Sequence, residues 1–183
     1  MDLSWATEQV AAFLVLTDAG ERRLELVSPR EVAPPEAAQT LRMAEPALWF
    51  PFARSPEAAM AGLWLYCGGF DEAHELAQSL NSVEGSYWHA IVHRMEPDAW
   101  NSGYWFRRVG RHPVFPALLE AAKRIAAQDP DCGFVPGESW NPERFTTFCE
   151  AARSRPGSPA EHAAREIQFA EWKLLFVWCG MRP

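Results

Sequence analysis

Proline and small polar residues punctuate this chain at intervals that suit helices and little else. Ser55-Pro56-Glu57 and Asn141-Pro142-Glu143 each place a capping side chain, a proline at the first helical position and an acid in the first turn. Ser158-Pro159-Ala160-Glu161 adds a capping box. Gly68-Gly69, Gly110 and Arg155-Pro156-Gly157 stop the segments between these starts. Inside the segments apolar residues recur at helical spacing, most clearly Leu118, Leu119, Ala122, Ile125 and Ala126. The one short alternation, Leu24 to Val27, has no second strand to pair with and reads as irregular. The expectation is an all-α single domain over residues 1–183, a multi-helix bundle of antiparallel hairpins with about seven or eight helices. The signals are densest in residues 56–128.

Individual limits follow from the same marks. Ser4 is read as the cap of a first helix reaching residue 16, and Pro35 as the opening of a second to about residue 43. Residues 46–52, with Trp49, Phe50 and Phe52, read as an extended aromatic connection that seals core. Helices follow over 56–66, 70–80, 84–95, 99–109 and 116–128, with Ser82 or Asn81 and then Asp98 as caps. A turn-rich stretch, 129–139, precedes helices starting near 142 and 159. The last of these is apolar on more than one face and belongs near the middle of the bundle.

Composition removes several classes of function. The chain has 183 residues, enough to bury a core without disulfides or metal as a staple. Its 17 basic and 24 acidic residues leave a net charge of −7, which argues against a phosphate-binding face, so no nucleic acid partner is expected. The N-terminus lacks a basic n-region and no apolar run reaches the roughly 18 to 20 residues of a membrane span; a cytoplasmic protein without membrane contact is expected. Cys67, Cys132, Cys149 and Cys179 form no C-x-x-C pair and read as buried, reduced thiols. Nine tryptophans imply aromatic core anchors, some of which can line a ligand pocket.

One stretch concentrates the residues that can do chemistry. On a helix over 84–95, Trp88, Ile91, Val92 and Met95 share a face, with His89 and His93 one turn apart on its shoulder. Two imidazoles at i and i+4 can hold one divalent metal, and His74 on the preceding helix can supply a third ligand. Glu96 continues the stripe one turn on. The glutamate of an H-E-x-x-H motif is absent, position 90 being Ala. His89, His93 and Glu96 are therefore candidate catalytic groups, and His74, His89 and His93 candidate metal ligands. Arg94, Tyr104, Trp105, Arg107 and Arg108 are candidates for cradling a small polar or anionic molecule, because guanidinium groups fork onto carboxylates and stack on rings. Ser86, one turn before His89, invites a Ser–His nucleophile, but no positioned acid or oxyanion hole accompanies it.

Gly85-Ser-Tyr-Trp-His-Ala-Ile-Val-His-Arg-Met-Glu-Pro-Asp98, together with Tyr104-Trp-Phe-Arg-Arg-Val-Gly-Arg-His-Pro-Val-Phe115, resembles a family of uncharacterised bacterial proteins bearing nearly this string. The resemblance spans roughly residues 60 to 120, brings no known activity or cofactor, and marks the stretch as the place to look. Two functions stand side by side. One is a His, Arg and Glu-lined pocket between helices that binds a small molecule, with metal-assisted or general-base chemistry. The other is a helical-hairpin interaction module, tetratricopeptide-like in the turn at Gly68-Gly69, in which the same groups are purely structural. The repeat would need a second copy about 34 residues away, and none is present.

Overall fold

Prolines sit in the first turn of six helices of the computed structural model, which describes residues 4–183. Their missing N–H removes a donor that has no partner at a helix start. Ten α-helices and no strand are found among the described residues. They are α1 (Glu8–Leu16), α2 (Pro35–Arg42), α3 (Pro46–Trp49), α4 (Pro56–Cys67), α5 (Phe70–Ser79), α6 (Val83–Met95), α7 (Ala99–Val109), α8 (Phe115–Gln128), α9 (Pro142–Arg153) and α10 (Pro159–Gly180). The caps at Ser82, Asp98, Asn141 and Ser158 form as read, each side-chain oxygen accepting from a backbone N–H in the first turn. No described helix is long and apolar enough to cross a membrane.

The fold is all-α as expected, but with more helices than about seven or eight. The helix α3 is a single turn, too short to show a period, and it occupies the stretch expected to be extended. Trp49 and Phe50 there are buried, whereas Phe52 is 64% exposed and seals nothing. The first helix starts later than Ser4, because Thr7 is the cap: its Oγ1 accepts from Val10 N–H and donates to the Trp49 carbonyl at 2.8 Å. Ser55 does not cap with its side chain; its N–H donates to the Cys179 carbonyl at 3.0 Å instead.

The helix α6 packs against α4, α5 and α7, and every residue from Gly85 to Met95 is buried. The expected division into an apolar face and a polar shoulder is therefore absent, since all sides meet protein. The neighbour α7 turns the small residues Ser102 and Gly103 inward with Phe106 and Val109, and Ser102 Oγ donates to the Ala90 carbonyl at 2.9 Å. That close approach leaves Trp100 and Tyr104 on the outer side of α7, at 75% and 40% exposure. The long α10 runs beside α4, α8 and α9 and contributes to both apolar clusters of the chain. Its Trp172 is fully buried, stacks on Tyr66 and donates its Nε1–H to the Gly62 carbonyl.

Residues 21–34 form an irregular strap across the C-terminal ends of α4 and α6. Ser28 N–H donates to the Met95 carbonyl at 3.1 Å and Ala33 N–H to the Cys67 carbonyl at 2.9 Å. Gly68, which ends α4, has φ +93°, and a Cβ placed there would lie 2.2 Å from the Glu31 carbonyl oxygen of the strap. Gly68→Ala is expected to cost about 1–3 kcal/mol, from left-handed strain plus displacement of the strap. Urea unfolding followed by circular dichroism checks this; an unchanged midpoint would mean the strap is not held where the backbone places it.

Candidate metal centre

His74 lies on α5, His89 and His93 on α6. The link Leu80 to Ser82 is so short that the two helices pack side by side, with Gly85 allowing close approach where a Cβ would lie 2.5 Å from that of Leu80. One ligand atom from each of the three rings can be chosen so that all lie within 4.8 Å of one another. The Nε2 atoms of His74 and His89 are 2.8 Å apart, one ring donating to the other. His89 and His93 stack at 4.7 Å and 21°, and Trp105 covers His89 at 4.1 Å. His89 and His93 are buried and His74 half-buried.

Burial and charge keep α6's two rings neutral. Loss of water around His89, then repulsion from His93 and His74, lowers its pKa to about 3. Burial and His74 also lower that of His93, against the opposing pull of Glu96 and Asp98. Neutral imidazoles present lone pairs, the form in which histidine ligates metal. Metal–nitrogen bonds of about 2.0–2.1 Å in a tetrahedron put ligand nitrogens roughly 3.3 Å apart. An ion would thus replace the His74–His89 hydrogen bond, spread that pair by about half an ångström and draw in His93. The Nδ1 atoms of His89 and His93 are buried without a hydrogen-bond partner, a cost that native interiors seldom carry.

The other candidate residues divide. Glu96 stands at the end of α6 with Oε2 3.3 Å from His93 Nδ1, beside the triad and outside the ligand set. Trp105 is in direct contact with His89, Tyr104 meets Trp105 edge-on, and the Arg108 guanidinium lies 5.1 Å from the Trp105 ring centre. Arg107 points elsewhere, pairing with Glu143 on α9 at 3.1 Å. Arg94 is fully buried against Glu171 of α10, where no ligand reaches it; helix periodicity places it one residue from His93 but on another face. Ser86 Oγ donates to the Ser82 carbonyl at 3.1 Å, an ordinary helix back-bond, so no Ser–His pair forms. The sequence reading missed Arg30, which reaches Glu96 and Asp71 from the strap; no periodic signal marks a residue in an irregular segment.

The three rings pack on one another and on Trp105, and cavities are also found at other places among the described residues. One of about 490 Å³ opens beside His112, Phe115 and Trp140, and one of about 320 Å³ lies under the strap beside Arg22 and Tyr66. No family model, curated protein or solved structure matches the chain, so the resemblance carried by residues 85–98 and 104–115 rests on that string.

Proposed function

We propose that the protein binds one divalent transition metal through His74, His89 and His93, with a fourth position open to water or a small anion. The convergence of three histidine ligand atoms within 4.8 Å carries this reading. Imidazole sets of this kind suit zinc, copper, nickel and cobalt, and three histidines plus one exchangeable ligand is a known arrangement for zinc. The packing of α5 against α6 supports it, because a metal held by His74, His89 and His93 would tie these two helices together while Trp105 of α7 shields one side. Trp105, in contact with His89, and Arg108, over the Trp105 ring, are the groups we assign to receive an anionic fourth ligand.

The interaction-module reading draws on one observation, the exposed Trp100 and Tyr104, whose rings stack at 6.4 Å. Of the other tryptophans in this stretch, Trp88 is fully buried and Trp105 half-buried, so neither extends that exposed pair into a groove. Metal binding is the better supported function.

Titration of chelator-treated protein with zinc, by calorimetry at neutral pH, is expected to give one site per chain and to raise the melting temperature. Ligand at a hundred times its dissociation constant adds about 2.7 kcal/mol of stability. His74→Ala, His89→Ala and His93→Ala should each abolish the site, and the half-buried His74 is the change that least disturbs the fold. Absence of binding in the parent protein, or binding that survives all three changes, refutes the proposal.

A further inference from the structure

Glu96 stands behind His93, and its two oxygens face different partners. Oε2 lies 3.3 Å from His93 Nδ1, while Oε1 accepts from Arg30 Nη2 at 2.5 Å. The same guanidinium donates from Nη1 to Asp71 at 3.1 Å and lies 4.4 Å over the ring of Phe70, one turn before His74. Arg30 therefore grips both helices that carry the histidines. The strap delivers it there through the two backbone hydrogen bonds at Ser28 and Ala33, and at Arg30 the chain turns through φ +52°. A non-glycine residue in that region is uncommon, and here the Arg30 backbone N–H donates to Ser28 Oγ at 3.2 Å.

We propose that Arg30 and Glu96 are a positioning pair for His93. The carboxylate takes the Nδ1–H of the neutral ring, which leaves the Nε2 lone pair for the cluster with His74 and His89, and Arg30 keeps the carboxylate in place. A neutral imidazole carries one proton, and an acceptor beside one nitrogen decides where it sits. Histidine ligands commonly donate their second nitrogen to a carboxylate in this way. The present contact is longer by roughly 0.5 Å than a charge-assisted hydrogen bond and does not meet its geometry. The purpose of the pair rests on the metal reading, whereas its effect on the ring is independent of metal. Both side chains are partly exposed, so the pair adds little to stability and its removal leaves the fold intact.

The test uses the full chain labelled with ¹⁵N-histidine. In the metal-free parent protein at pH 7.5, long-range ¹H–¹⁵N spectra are expected to show His93 with its proton on Nδ1. Glu96→Ala should shift it toward the Nε2–H form, Arg30→Ala should do so in part, and Glu96→Gln, which keeps an acceptor oxygen, should restore the parent form. Cobalt(II) titration should show affinity lowered about 10–100-fold in Glu96→Ala. A parent spectrum with the proton already on Nε2, or a tautomer unmoved by Glu96→Ala, overturns the positioning pair even if the parent binds cobalt. A tautomer that switches as described in a protein that binds no cobalt upholds the pair and removes the metal reading instead.

Discussion

Glu171→Ala is expected to destabilise the protein by about 3–5 kcal/mol, a large share of the roughly 5–15 kcal/mol that holds a domain together. Glu171 and Arg94 are both fully buried and paired across α10 and α6. Glu171 Oε1 also accepts from the Tyr87 hydroxyl at 3.0 Å, and Arg94 Nε donates to Gln168 Oε1 at 3.2 Å. Gln168 in turn donates to the Glu25 carbonyl, and the Arg94 guanidinium lies 4.7 Å over Phe145 of α9. Burial opposes the charge on Arg94, and the Glu171 carboxylate more than offsets it, so its pKa is raised. Burial and the same carboxylate hold the Tyr87 hydroxyl protonated, and burial pushes the neighbouring Cys149 thiol up to about 12. Removing only the carboxylate leaves a guanidinium charge in the core with nothing to balance it, which is the costly case. Replacing both residues by apolar ones of similar volume should recover most of the loss, because no charge is then stranded. Chemical denaturation of Glu171→Ala and of Arg94→Met with Glu171→Leu measures both; a single change costing under about 1 kcal/mol would show that water or a rearranged side chain reaches Arg94.

Metal-free protein is expected to lose stability steadily as pH falls below about 6.5, the ordinary histidine value. The pKa of His89 falls to about 3 and that of His112 to about 4, burial being the first cause in each, and that of His93 is lowered as well. His112 accepts the Val114 N–H on Nδ1 at 3.3 Å, a contact made by the neutral ring. Depressed folded-state values mean that the unfolded chain takes up protons first, so unfolding gains ground as acid is added. Above the unfolded value these groups contribute no pH dependence; below it the loss grows until about pH 4 for His112 and about pH 3 for His89. Urea midpoints between pH 7.5 and 4.5 in the presence of chelator should slope downward, and His89→Gln and His112→Gln should each flatten the slope. A flat profile in the parent would mean that the rings are charged and solvated in the folded state.

The helix marks and the histidine pair are local facts, and they were legible. Capping at Ser82, Asp98, Asn141 and Ser158, proline in the first turn and the left-handed Gly68 all act within four residues, so a sequence carries them whole. Spacing at i and i+4 places His89 and His93 on one side of α6 whatever surrounds it, and the three-residue link before α6 keeps His74 near. Partner choice is another matter. Arg94 is one residue from His93 and meets Glu171, 77 positions away, while Arg30 comes from a segment without period to hold Glu96, 66 positions away. The outward turn of Trp100 and the burial of α6 on every side likewise depend on how closely α7 approaches through Ser102 and Gly103. Backbone hydrogen bonding and side-chain periodicity are decided over one or two turns of chain, whereas burial and ion pairing are decided by which helices cross and how near, a property of the packed core.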